Sequence, residues 1–150
     1  MKPMYPDVSI IPFNGKTPRI HPSAFIAPGC RIIGDVEIGA DSSIWYNCVI
    51  RGDANSIRIG ARTNIQDGSV VHCDGPTPDR PEGYPTFIGD DVLIGHMAMI
   101  HGCTLDDRAF VGNGESQLLV AGRVESVGPG SDDRNCLAVG RKGATMCRRI

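Results

Sequence analysis

Three of the chain's four histidines, His72, His96 and His101, fall within VVHCDGPTPDRPEGYPTFIGDDVLIGHMAMIHGC, residues 70–103. Three neutral imidazoles with a fourth position left open form the donor set of catalytic zinc, not of structural zinc. Zinc held in this way brings the pKa of bound water to about 7 and so supplies hydroxide at neutral pH. Iron(II) or cobalt(II) would accept the same nitrogens. The linear spacing is wrong for one regular element. The step from His96 to His101 is too long for a helical turn, and an odd step along a strand points to opposite faces. A lone surface histidine is ordinarily just solvated, so these three form a site only if the fold reassembles them. His21, ahead of Pro22, is assigned no function.

The elements that could reassemble them follow from a six-residue rhythm. Ile26, Ile32, Ile38, Ile44 and Ile50 recur at intervals of six, as do Ile59, Ile65 and Val71, and again Ile88, Ile94 and Ile100. Four residues after each sits a slim side chain: Cys30, Val36, Ser42, Cys48, Ala54, Thr63, Ser69, Val92, Ala98, Thr104. A period of six fits neither an amphipathic helix nor a simple alternating strand. It predicts an all-β fold, a left-handed parallel β-helix or hexapeptide-repeat solenoid, in which three hexads complete one coil.

Two interruptions break the count. Three extra residues lie around Asn55–Ile57, and a longer excursion over 74–86 is rich in proline and glycine, as a surface loop is. With these removed, Ile50, Val71 and Ile100 share one face. Ile44, Ile65 and Ile94 share the preceding one. The residue after each aliphatic points outward, so Arg51, His72 and His101 stack in a column, about 4.8 Å apart in adjacent coils. His96 looks around the corner. Coils packed about a threefold axis would bring it to the column from a neighbouring subunit, which predicts a homotrimer with a shared metal site at His72, His96 and His101.

Composition bounds the partners. A formal charge of −2 argues against nucleic acid or an anionic membrane. No basic region leads into an apolar run, and no run is long enough to span a bilayer, so the expectation is a cytoplasmic chain. The six cysteines lack secretory context or a CxxC pair and are expected as reduced thiols. Cys30 and Cys48 should stack in the interior. Cys73 and Cys103, beside the candidate ligands, read as packing residues.

VIRGDANSIRIGARTNIQDGSVVH, followed by IGDDVLIGHMAMIHGC, resembles the gamma-class carbonic anhydrases and their bacterial hexapeptide-repeat relatives, over about residues 8–112. The resemblance implies a trimeric left-handed β-helix that reversibly hydrates carbon dioxide. It implies that His72 and His101 bind zinc from one subunit and His96 from the next. It also implies that Arg51 and Asp53 form an interfacial pair and that Asp67 holds Arg51. Gln66 would hydrogen-bond the reacting oxygen or the substrate, with Asn64 as a supporting polar group. An ion network is the structural alternative for Arg51, Asp53 and Asp67. Ala54 stands where a proton-shuttling glutamate is expected, and Asp74, Asp79 and Glu82 offer no clear match.

The rhythm fails after residue 112. The domain reading is an N-terminal arm over 1–19, the β-helix over 20–112 and an atypical tail over 113–150. The tail's composition also turns basic, which points to a replaced terminus that caps the solenoid poorly. Three other functions fit the repeat. A hexapeptide acyltransferase would use one histidine as general base with acyl-CoA as donor, and a thioesterase would use the same metal hydroxide. A non-catalytic metal-bridged trimeric scaffold is the third.

Overall fold

Aliphatic side chains at six-residue intervals can all be buried together only if the chain bends by a third of a turn after each short strand. The computed structural model, which describes residues 7–118 and 123–124, does this in a left-handed parallel β-helix. On the first face Ile10, Ile32, Ile50, Val71 and Ile100 are Cα partners in successive coils. On the second, Ile26, Ile44, Ile65, Ile94 and Val111 are aligned. The third carries Ile20, Ile38, Ile59, Ile88 and Leu105. All but Ile10 and Ile20 are buried. Each such side chain contributes about 1.5–3 kcal/mol relative to exposure. No helix occurs among the described residues, and none is long and apolar enough to cross a membrane.

The slim inward positions fill the corners and carry the hydrogen bonds that bare turns would lose. Ser42 Oγ donates to Gly60 O at 2.7 Å and accepts from Thr63 N at 3.0 Å. Thr63 Oγ1 repeats this one coil on, donating to Gly89 O at 2.7 Å and accepting from Val92 N at 3.1 Å. Ser69 does so with Gly95 O and Ala98 N. Each hydroxyl satisfies one buried carbonyl and one buried amide, which removes a desolvation cost of about 1–3 kcal/mol per group.

The corners need left-handed backbone. One is turned by Asp41, Arg62, Asp91 and Arg108, another by Gly29, Asn47, Gly68, Met97 and Gly114. Glycine, asparagine and aspartate tolerate that conformation, whereas Arg62, Met97 and Arg108, at φ 54°, 58° and 62°, adopt it at a steric cost. At the third corner left-handed backbone falls on glycine, Gly34 at φ 76° and Gly102 at φ 58°. The strands Arg31–Ile38 and Val49–Ile59 run through it unbroken, and both sequence insertions are placed there.

The structure corrects several expectations. Across the corner Gly34 pairs with Gly52 but Val36 pairs with Ile57, so the extra residues lie within 53–56. Ile57 therefore takes the slim inward slot, and Ala54 is exposed. Likewise Cys103, not Thr104, is buried opposite Thr86, because Ile100 to Leu105 is one residue short of a hexad. Thr86 begins the strand Thr86–Ile88, so the long loop runs over 73–85. The strand Ser9–Ile11 already pairs with Arg31–Ile38, so β-structure begins inside the expected arm. Beyond 112, Ser116–Leu118 pairs with Met99–His101 and Arg123–Val124 with Thr104–Leu105. Strand pairing thus passes the expected break. Residues 119–122 and 125–150, most of the expected tail, lie outside the described residues.

Candidate metal centre

The outward column stands on the first face. Ile33 is the Cα partner of Arg51, and His72 of His101. Parallel pairing in register places the two imidazoles one coil apart, with ring centroids at 4.9 Å and planes inclined at 66°. Thr86 Oγ1 donates to His72 O at 2.5 Å and accepts from Gly102 N at 2.9 Å, which ties the backbones beside the two histidines together.

Arg51 reaches up to His72, with Nη2 3.3 Å from Nδ1. A guanidinium can only donate, so Nδ1 is the acceptor, and the proton sits on Nε2, 3.1 Å from Asp53 Oδ1. Arg51 Nε is itself 3.5 Å from that carboxylate oxygen. Burial pushes the His72 pKa below the usual imidazole value. The Asp53 hydrogen bond opposes the shift, while the charges of Arg51 and His101 reinforce it. A neutral imidazole is the form that can ligate a metal.

His101 Nε2 lies 3.0 Å from Asp74 Oδ1. His72, Asp74 and His101 bring three potential ligand atoms within 4.8 Å of one another, the one such group among the described residues. Two half-buried imidazoles and a carboxylate are borderline donors that suit zinc, iron(II) or cobalt(II). Asp74 entered the sequence reading only as a loop carboxylate. Its signal was the spacing in HCD: two residues beyond His72 in extended chain is the same side of the strand.

The other candidate residues sit at the neighbouring corner. His96 is exposed, with Nδ1 2.9 Å from Asp67 Oδ2. Its amide donates to Asn113 Oδ1 at 2.9 Å. Within the chain Asp67 thus holds His96, not Arg51, whose carboxylate is Asp53. The reason is local: Asp67 and His96 occupy the same step of the same corner in successive coils, and Met97 N donates to Asp67 O. Gln66 is half-buried one position earlier, its carbonyl accepting from Cys48 Sγ at 3.1 Å. Asn64 faces outward on the second face. Its Nδ2 donates to Ser43 Oγ at 2.7 Å, while its buried Oδ1 lacks a partner among the described residues, as does Trp45 Nε1.

Apolar side chains surround this corner. Tyr46, Leu93, Met97 and Met99 are all exposed, Met97 to 71%. The four described cysteines are free and buried. Burial pushes the Cys73 and Cys103 thiols up to about 11, so both are packing groups beside the column.

The family description "Bacterial transferase hexapeptide (six repeats)" matches residues 17–52. Gamma carbonic anhydrase 2, mitochondrial, of Arabidopsis thaliana is 52% identical over 103 residues, which are 69% of this chain and 37% of that protein. The chain belongs to the gamma carbonic anhydrase-like hexapeptide-repeat family. A carbonic anhydrase of Geobacillus kaustophilus is 45% identical over 105 residues, 70% of this chain and 54% of that protein. A solved structure of a Bacillus cereus protein designated an acetyltransferase superposes with a TM-score of 0.66 at 34% identity. It covers 93% of this chain and 83% of that one. The chain spans from about a third to about half of the two carbonic anhydrases' own lengths.

Proposed function

We propose that this chain is a metal-dependent carbonic anhydrase that assembles as a homotrimer, with His72 and His101 of one subunit joined by His96 of the next. The observation that carries the reading is the stacked imidazole pair at 4.9 Å, with His96 on a separate corner inside an exposed apolar surround. Exposed apolar clusters of this kind mark protein interfaces. The unpartnered Asn64 and Trp45 atoms on the adjoining face also fit a surface completed by another subunit.

Zinc is the preferred ion. When bound, it supplies Lewis acidity that yields a nucleophilic oxygen at neutral pH, which hydration of carbon dioxide requires. The chain's residues have separate tasks in this reading. One ring nitrogen of His72 would take the metal, which leaves either Arg51 or Asp53 to orient the ring through the other, and Asp74 would hold His101 through Nε2. Gln66, at the corner beside His96, positions the substrate or the attacking oxygen. Asn64 supports that corner through Ser43. Proton release falls to solvent or to loop carboxylates, because Ala54 contributes none.

The test is a pair of variants. His72→Ala and His96→Ala should each lower stopped-flow hydration by about a hundredfold or more, since even residues outside the ligand set cost 10–100-fold. Mixing the two should restore part of the activity, because hybrid trimers contain sites with all three histidines. No hydration by the zinc-loaded wild type, or no recovery on mixing, rejects the reading. The likeness to the Bacillus cereus protein keeps one second reading, acyl transfer with a histidine as general base. Acyl-CoA turnover that survives chelation would favour it.

A further inference from the structure

We infer that Thr86 is a positioning residue for the proposed site, its buried hydroxyl fixing the direction in which His72 and His101 leave their strands. The inference rests on the reading above and adds to it a residue that acts through the backbone.

The strands Val70–His72 and Met99–His101 both end at the third corner, and there the two coils part ways. In the upper coil Gly102 turns at φ 58° and the chain continues into Thr104–Leu105. In the lower coil it departs on the long loop and returns only at Thr86. The rung is therefore interrupted beside the histidines. Gly102 N stands 3.3 Å from His72 O. The corresponding bonds at the neighbouring corner, Met97 N to Asp67 O and Gly114 N to His96 O, are 2.9 and 2.8 Å.

Thr86 Oγ1 takes up this slack, donating to His72 O at 2.5 Å and accepting from Gly102 N at 2.9 Å. The residue is buried, so water does not substitute for the hydroxyl. Its bonding differs from that of the other inward hydroxyls. Ser42, Thr63 and Ser69 each hold two backbone groups of the coil above. Thr86 instead joins His72 O, in its own coil, to Gly102 N in the next. Farther out, Asp74 N donates to Tyr84 O at 3.1 Å and Tyr84 N to Asp74 O at 2.9 Å, which closes the loop at its root. The ladder sets the rise between the two histidines. The hydroxyl sets the peptide groups that follow them, and with these the aim of the side chains.

The test compares full-length variants by cobalt(II) affinity and visible absorption, by hydration kcat/KM, and by nuclear Overhauser contacts between histidine rings in the metal-free protein. Thr86→Val keeps the shape and removes the hydroxyl. It should weaken cobalt binding and hydration each by about tenfold, the lower end for groups that orient metal-bound histidines, and alter the cobalt bands. The contact between the His72 and His101 rings, whose centroids are 4.9 Å apart, should weaken measurably. Thr86→Ser should restore all of these. Thr63→Val breaks the same kind of hydroxyl pair away from the column. It should lower the melting temperature comparably, with cobalt affinity and ring contact unchanged. Thr86→Ala replaces the valine variant if that one does not fold. Wild-type values in Thr86→Val, a serine variant no better than valine, or equal losses in Thr63→Val overturn the inference. The two readings fail separately. A wild type that neither binds metal nor hydrates carbon dioxide, yet whose ring contact depends on Oγ1, rejects only the proposed function. An active wild type whose valine variant keeps cobalt affinity and ring contact rejects only this inference.

Discussion

Asp91 is the clearest single residue whose charge can be read apart from its shape. It sits in a left-handed turn, and Arg62 in the neighbouring coil grips it with Nε at 2.7 Å and Nη2 at 2.8 Å. That hydrogen bond, more than the charge alone, holds the Asp91 carboxyl below its usual range. A depressed carboxylate stabilises the fold above its unfolded pKa and loses that contribution as pH falls through the folded value. Asn tolerates the same backbone, so Asp91→Asn should lower the melting temperature slightly at pH 7. The gap from wild type should close as pH falls below about 3.8, the ordinary aspartate value. Parallel melts across pH 3–7 check this. Buried thiols give a second residue-scale outcome. With pKa values of about 11, Cys73 and Cys103 expose roughly one thiolate in a thousand at pH 8. Peptide mapping after native iodoacetamide treatment should find both unmodified, and labelled only once the chain is denatured.

At the scale of the element, the corners decide more than the strands. Gly68 turns at φ 70°, and a Cβ there would meet Met97 Sδ at 2.5 Å. The sulfur can swing aside, so Gly68→Ala should cost mainly the left-handed penalty, about 1–2 kcal/mol by urea unfolding. Met97→Gly, one coil on, should change stability in the opposite direction by about 1 kcal/mol. The pair tests whether that corner is strained. The six-residue rhythm made the faces legible because every inward slot in an uninterrupted hexad has one possible occupant. Legibility ended at the third corner. With residues inserted over 53–56, either Ala54 or Ile57 could return to the interior, and the count alone favoured the wrong one. Ile57 wins because it fills the slot opposite Val36, a fact of packing across coils. For the same reason the column of Arg51, His72 and His101 could be derived from spacing. The Asp74–His101 contact could not, because it depends on how the loop closes through Tyr84.

For the whole molecule, the proposed trimer would tie assembly to the site through the apolar surround of His96. Met97→Lys should replace oligomer with monomer in sedimentation while leaving the β-helix spectrum intact, because Met97 is exposed within the chain and contributes little to its core. Hydration activity should fall with assembly. Zinc should also raise the melting temperature, and a chelator should reverse the rise, since an ion that binds only the folded state stabilises it by mass action.

The parallel register of Val70–His72 with Met99–His101 has a mechanical consequence. The imidazoles hang from neighbouring rungs, so the gap between them is the rise of one coil, fixed by the same backbone hydrogen bonds that hold the stack together. The solenoid works as a caliper. Loops may lengthen at the third corner, and side chains may change on every face, without moving its jaws. Only stretching along the axis opens them, and that breaks the rungs as well.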